Sequence, residues 1–122
     1  MKILLVAIGS GLGGGLRYLV PGWIGAAKGL PWATLTVNVV GSLLIGLLSG
    51  LLARHGGSSA DSIRAFAVVG FCGGFTTFST FSSETFRMLE NNQWLSAAGY
   101  VGLSVVAGLV AVFVGYWLSK GV

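Results

Sequence analysis

The chain has 122 residues, of which 54% are apolar and only 8% are charged, whereas soluble domains carry about 25% charged residues. So little charge cannot cover the surface of a water-soluble protein, and the composition predicts an integral membrane protein. The four membrane helices predicted below make its fold class all-α. The formal net charge of +4 comes from basic residues scattered along the chain, which do not form the stripe that nucleic acid requires.

The first predicted membrane helix covers residues 3–20. Its start resembles a signal peptide, but it lacks the small-residue cleavage pattern and continues through glycines into Arg17, so we expect it to be retained. A G-x-G-x-x-G pattern lies at Gly9, Gly11 and Gly14. A nucleotide site would also need a βαβ unit and an acidic residue about 20 positions on, and the first acidic residue is Asp61. We therefore reject a nucleotide site.

The glycines of this helix fit another pattern. Gly9 with Gly13, and Gly11 with Gly15, form pairs of small residues four positions apart. Such pairs let helices approach closely in lipid. We predict that this helix packs tightly against a neighbour, after which Pro21 to Pro31 forms a turn-rich connection.

The second predicted helix, 32–52, contains no charged residue and has close to the roughly 20 residues that span a bilayer. Asn38 is its one strongly polar side chain. Because Asn38, Ser42, Gly46 and Gly50 recur at every fourth position, they share one helix face. This face is small and polar, and we predict that it packs against another helix rather than lipid. A polar connection, Arg54 to Arg64, follows it.

The third predicted helix, 65–88, contains the sequence GFCGGFTTFSTFSS at residues 70–83. Three glycines and six Ser/Thr hydroxyls are more than a helix facing lipid needs. Glycines favour a break in the helix, and non-helical backbone at membrane depth is tolerated only where it is buried in protein or lines a cavity. This stretch is therefore the candidate for an ion pathway or a binding site. The fourth predicted helix covers residues 94–118.

Two groups can be distinguished within the stretch. If the helix resumes after Gly74, four hydroxyl residues share one face: Thr76, Ser79, Thr80 and Ser83. The two phenylalanines, Phe78 and Phe81, lie on a face of their own. Hydroxyls and the positive edges of phenyl rings can both surround a small anion. Backbone carbonyls released near Gly73 and Gly74 would suit a cation.

The charge distribution gives almost no orientation signal. With four spans, both termini and the second connection share one side, which holds Lys2, Arg54, Arg64 and Lys120, and the other side holds Arg17, Lys28 and Arg87. A four-to-three ratio of basic residues is too even to fix the topology. We predict that the chain inserts in both orientations and forms an antiparallel homodimer.

Three stretches resemble the Fluc/CrcB family of fluoride channels: GGGLRY at 13–18, ATLTVNVVGS at 33–42 and GFCGGFTTFSTFS at 70–82. The resemblance covers essentially the whole chain. It implies a single four-helix membrane domain over residues 1–122, a third helix broken mid-membrane and an antiparallel, dual-topology homodimer. It also implies a passive channel in the bacterial inner (plasma) membrane that exports cytoplasmic fluoride and so reduces its toxicity.

The resemblance further implies roles for individual residues. The implied fluoride pathway comprises Asn38, Phe78, Ser79, Thr80, Phe81, Ser83 and Glu84. Arg17 is expected near an aqueous vestibule. The backbone carbonyls of Gly73 and Thr76, from both subunits, are expected to hold a structural sodium ion. Tyr100 and Ser104 are candidates for the fourth helix's contribution, which the sequence leaves open.

Other functions fit the residues less well. A small dual-topology multidrug/proton antiporter would share the size and helix count, but it needs a carboxylate inside the membrane, and Glu84 near the end of its span is the sole candidate. A packing protein would not explain glycines and hydroxyls in one helix. An enzyme is disfavoured, because the sequence offers no nucleophile–base–carboxylate set and no cluster of metal ligands.

Overall fold

The computed structural model describes residues 2–24 and 30–121, and the regular structure of those residues is helical throughout. Four helical stretches are long and apolar enough to cross a membrane: Lys2–Ile24, Trp32–His55, Gly57–Glu90 and Trp94–Gly121. This confirms the predicted all-α architecture with four membrane-spanning helices. Lys28, one of the basic residues in the orientation count, lies outside the described residues.

Three of the spans are built on one long helix each: α1 (Lys2–Ile24), α2 (Trp32–His55) and α6 (Trp94–Leu118), which ends in a 3₁₀ turn at Ser119–Gly121. The third span, Gly57–Glu90, is composite. It comprises a 3₁₀ turn (Gly57–Ser59), α3 (Ala60–Ile63), a π-helical segment (Arg64–Cys72), α4 (Gly73–Phe75) and α5 (Ser79–Glu90). This span therefore changes its helical geometry several times over its length.

The helices run further than the hydropathy pattern predicts. α1 continues through Pro21 to Ile24, although the sequence predicted a turn from Pro21 onward. Proline lacks one N–H donor but has a helical φ angle, and one more turn is built on it. Similarly, α2 reaches His55, and helical structure resumes at Gly57, so the polar connection Arg54 to Arg64 is mostly helical.

Glycines bring α1 and the third span into backbone contact. A Cβ added to Gly9 would overlap the carbonyl oxygen of Phe66, and one added to Gly13 would overlap that of Phe71. On the facing side, Gly74 lies against the backbone of Ser10. The predicted close approach is therefore confirmed for Gly9 and Gly13. For the other pair, Gly11 and Gly15, no atom of the described residues lies within 4 Å of an added Cβ.

The small face of α2 packs against α6, as predicted. A Cβ on Gly46 would overlap the carbonyl oxygen of Val112, and a Cβ on Gly115 would overlap that of Leu43. One turn further along, Gly50 lies against the buried side chain of Ser119. Because small residues face each other on both helices, their backbones can come together without a gap.

Polar contacts hold one end of the bundle together. Lys2 at the start of α1 pairs with Asp61 of α3 at 3.8 Å. Arg54, in the last turn of α2, donates to the carbonyl oxygen of Gly50 at 3.1 Å and to the hydroxyl of Ser119. The start of α1, the second connection and the end of α6 therefore lie at the same end, the arrangement assumed in the count of basic residues.

Candidate functional site

The helical structure of the third span is interrupted between α4 and α5. Thr76 follows α4 in an extended conformation, with φ −80° and ψ 160°, and α5 begins only at Ser79. The N–H and the hydroxyl of Thr76 both donate to the carbonyl oxygen of Cys72, each at 2.9 Å. We call residues Thr76–Phe78 the 76–78 segment. The N–H of Thr76 keeps its helical acceptor, whereas the N–H groups of Thr77 and Thr80 have acceptors that a continuous helix would not give them.

Asn38 of α2 provides hydrogen-bond partners for Thr77. The N–H of Thr77 donates to Asn38 Oδ1 at 2.8 Å, and Asn38 Nδ2 donates to the carbonyl oxygen of Thr77 at 3.1 Å. One side-chain amide thus pairs with both backbone groups of one residue. An unpaired buried backbone group costs about 1–3 kcal/mol, so this pairing stabilises the non-helical conformation.

Thr77 also provides a hydrogen-bond acceptor for the N–H of Thr80, in place of a backbone carbonyl. The N–H of Thr80 donates to Thr77 Oγ1 at 3.2 Å, which satisfies a free donor at the start of α5. In a continuous α-helix, the N–H groups of Thr77 and Thr80 would bond the carbonyls four residues earlier, those of Gly73 and Thr76. Both N–H groups bond side-chain oxygens instead. The two carbonyls predicted to bind sodium are the ones that these N–H groups leave free.

Arg17 of α1 reaches the same region from the other side. Its Nε donates to the carbonyl oxygen of Gly74 at 3.1 Å. A cavity of about 380 Å³ opens beside it and is lined by Arg17, Tyr18, Pro21, Ala33, Thr34, Val37, Thr77 and Thr80. This cavity combines a fixed positive charge with two threonines of the site and can accept an anion and its water. That Arg17 lies beside an aqueous vestibule stays a prediction.

Aromatic rings form a continuous row from the 76–78 segment to α6. The ring centroids of Phe78 and Phe81 are 6.0 Å apart, and those of Phe81 and Tyr100 are 5.0 Å apart, with an interplanar angle of 44° for each pair. Tyr100 is fully buried, whereas Phe78 is 78% exposed in the single chain. Tilted rings present edges as well as faces, and ring edges carry the positive end of the quadrupole.

A second cavity, of about 310 Å³, lies along this row. Its lining combines the predicted asparagine and both phenylalanines with a serine of α6; the residues are Asn38, Ser42, Ile45, Thr76, Thr77, Phe78, Phe81, Ser104, Val105 and Gly108. Ser104 Oγ is buried and has no hydrogen-bond partner among the described residues. A hydroxyl in that state can donate to a small anion in the cavity. The structure thus brings Ser104 beside the predicted pathway.

Glu84 lies in the middle of α5. Its Oε1 accepts a hydrogen bond from the Tyr100 hydroxyl at 3.0 Å. Glu84 also lines a third cavity, of about 240 Å³, together with Leu30, Pro31, Arg87, Met88, Asn91 and Gln93. The carboxylate is half-buried and lies where the row of rings meets a polar opening. Tyr100 therefore joins Glu84 to Phe81.

The hydroxyl stripe differs from the prediction. Thr76 is itself extended and donates its hydroxyl to the Cys72 carbonyl oxygen, so it does not share a helix face with Ser79, Thr80 and Ser83. Those three lie on α5, where Thr80 is half-buried and the two serines are exposed in the single chain. The predicted hydroxyl stripe therefore keeps three of its four residues on one helix, because Thr76 belongs to the non-helical 76–78 segment.

Two features of the site were missed at the level of sequence. Thr77 uses its N–H, its carbonyl and its hydroxyl in hydrogen bonds, yet no role was assigned to it. A threonine just before a helix is a known capping signal, and that signal would have found the Thr80 contact. The contact between Arg17 and Gly74 joins residues 57 positions apart and has no local signal.

The sequence was then compared with known proteins. A family model described as CrcB-like protein, Camphor Resistance (CrcB), matches residues 4–116. A protein of Nitrobacter winogradskyi is 50% identical over 97% of this chain and 94% of its own length. Proteins of Leptospira interrogans and Mesorhizobium japonicum are 46% and 41% identical over 98% of this chain and cover 94% and 96% of their own lengths. All three relatives are named fluoride-specific ion channel FluC.

Proposed function

This chain belongs to the CrcB-like protein family, and from that premise we propose that it is a fluoride-selective ion channel. It lets cytoplasmic fluoride leave the cell passively and so limits its toxicity. Fluoride that enters as hydrogen fluoride dissociates at cytoplasmic pH, so the outward path needs no coupled energy source. The chain is a channel and not an enzyme. The antiporter alternative receives no support from relatives named as fluoride channels.

The observation that carries this proposal is the cavity of about 310 Å³ beside Phe78 and Phe81. Ring edges and the unpartnered Ser104 hydroxyl can replace water around fluoride without a full positive charge that would trap the ion. Asn38 of α2 adds an amide group to the lining of this cavity. The other pathway residues extend the route along α5; they are Ser79, Thr80, Ser83 and Glu84. Arg17 raises the local concentration of anions in the vestibule.

The proposal is tested with purified protein in liposomes loaded with fluoride or with chloride. We expect a rapid fluoride efflux once a potassium ionophore removes the electrical barrier, and no chloride efflux above that of protein-free liposomes. Ion-selective electrodes for both anions give the two rates. Equal permeation of chloride and fluoride would refute the selectivity, and the absence of fluoride efflux would refute the channel.

We propose that the functional unit is an antiparallel, dual-topology homodimer in the bacterial inner (plasma) membrane, with the third helix broken at mid-membrane depth. The exposure of Phe78, Ser79 and Ser83 in the single chain supports a second copy, because pathway residues need a wall that excludes lipid. The even distribution of basic residues supports insertion in both orientations.

Fixing the orientation tests the dimer. Three lysines added after Lys120 should place that end in the cytoplasm, and three lysines inserted at Asn91–Asn92 should give the opposite orientation. We expect each variant alone to lose most of its fluoride efflux and the coexpressed pair to regain it. Full efflux from either variant alone would contradict the antiparallel arrangement.

We further propose that the Gly73 and Thr76 carbonyls of both subunits hold a structural sodium ion. The hydrogen bonds of Thr77 and Thr80 support this site, because their N–H groups bond side-chain oxygens and so do not occupy the Gly73 and Thr76 carbonyls. Carbonyl oxygens are suitable ligands for a hard cation, and non-helical carbonyls bind sodium in transporters with broken helices. When bound, the ion would supply a positive charge that links the two subunits at the 76–78 segment.

A further inference from the structure

Two side-chain oxygens replace two backbone acceptors around the 76–78 segment. Asn38 Oδ1 accepts the N–H of Thr77 at 2.8 Å, and Thr77 Oγ1 accepts the N–H of Thr80 at 3.2 Å. A continuous α-helix would direct these N–H groups to the carbonyls of Gly73 and Thr76. The Gly73 and Thr76 carbonyls therefore lose their helical N–H donors. These are the two carbonyls proposed above to bind the cation.

The same contacts limit what the Asn38 amide can do for an anion. Its Oδ1 and its Nδ2 are both engaged with Thr77, so only the second hydrogen of Nδ2 is left for the cavity. The bonds join residues 39 positions apart, and they hold α2 against the segment. Asn38 is thus attached to the backbone that would carry the cation as well as to the wall of the anion cavity.

We infer that Asn38 and Thr77 are positioning residues of the cation site. By serving as substitute acceptors, they prevent the N–H groups of Thr77 and Thr80 from closing the helix over the Gly73 and Thr76 carbonyls. This inference rests on the cation site in the proposed function and adds the residues that create it. Loss of either acceptor should weaken sodium binding, because the freed N–H group returns to a backbone carbonyl.

The test is a sodium titration of thermal stability. Protein purified without sodium is titrated with NaCl, while N-methylglucamine chloride keeps the ionic strength constant, and the unfolding midpoint is recorded. For Thr77→Val we expect the sodium concentration of half-maximal stabilisation to rise about tenfold, the scale of one lost hydrogen bond. Asn38→Leu should shift it in the same direction, and Thr77→Ser should restore the original value.

Matched controls separate this role from general stability. Thr85 also lies on α5 and donates its hydroxyl to the Phe81 carbonyl oxygen at 2.9 Å, so Thr85→Val removes a similar hydroxyl and should leave the sodium midpoint unchanged. Ser42→Ala is the corresponding control for Asn38. Phe78→Ile should lose fluoride efflux and keep the sodium midpoint of the original protein.

An unchanged sodium midpoint in Thr77→Val and Asn38→Leu would overturn the inference, even if both variants were less stable at every sodium concentration. An original protein whose stability does not respond to sodium would overturn the cation site and this inference together. Neither result depends on fluoride efflux from the original protein, which decides separately whether the chain is a channel.

Discussion

Replacing Phe78 or Phe81 by isoleucine should lower fluoride efflux about 100-fold, the scale of removing one donor to an anion in a water-excluded site. Isoleucine keeps an apolar side chain but has no positive ring edge. The centroids of the two rings lie 6.0 Å apart beside one cavity, so each variant removes one side of the same anion position. Efflux from liposomes, measured with a fluoride electrode, gives the ratio directly.

Phe86→Ile is the matched control, because Phe86 lies on α5, is 61% exposed and lines none of the three cavities. Its efflux should equal that of the original protein. The two test variants should differ in stability, since Phe81 packs on the buried ring of Tyr100 and Phe78 is exposed. Efflux at the original level from both variants would leave the two rings with a packing role alone.

The membrane spans and the closely packed helix faces could be predicted from the sequence, because apolar and small residues recur there with the spacing of an α-helix. Long uncharged stretches identify the spans, and a small residue at every fourth position identifies the faces of α1 and α2 that pack closely. Gly9, Gly13, Gly46 and Gly50 all behave as this rule expects. Gly11 and Gly15 have the same spacing but no neighbour among the described residues. Spacing alone does not say which of two faces meets a helix.

The ends of the helices were less predictable, for a physical reason. Hydropathy marks where residues favour lipid, whereas hydrogen bonding decides where a helix stops. α1 therefore continues through Pro21. The polar residues after Gly56 likewise form helical turns. These residues carry charges and hydroxyls that interrupt the apolar pattern without interrupting the backbone bonds.

The candidate site was predictable in its residue types but not in its connections. Glycines and hydroxyls around Gly73 indicate a change in the helix, and Asn38 stands out as the one strongly polar residue of the uncharged stretch 32–52. Asn38 bonds Thr77, and Arg17 bonds the Gly74 carbonyl. Both contacts depend on how α1 and α2 pack against the third span. Contacts of this kind join distant residues, so no local pattern contains them.

Gly13→Ala should prevent close packing of α1 on the third span and thereby remove most of the folded protein. The added Cβ would meet the carbonyl oxygen of Phe71 and the backbone nitrogen of Phe75, and backbone cannot move aside as a flexible side chain can. Overpacking costs about 1–3 kcal/mol in ordinary cores and sometimes more. We expect the high end of that range, because Gly74, whose carbonyl Arg17 bonds, lies on the same interface.

Gly15→Ala provides the matched control, since it adds the same methyl group two positions along α1, where no atom lies within 4 Å. The measurement is the thermal unfolding midpoint of purified protein, followed by efflux of the folded fraction. Gly15→Ala should leave the midpoint within a few degrees of the original, whereas Gly13→Ala should lower it by many degrees or give no folded protein. Equal midpoints for the two variants would show that α1 can move away from the third span, and the contact between Arg17 and Gly74 could then not hold the 76–78 segment in place.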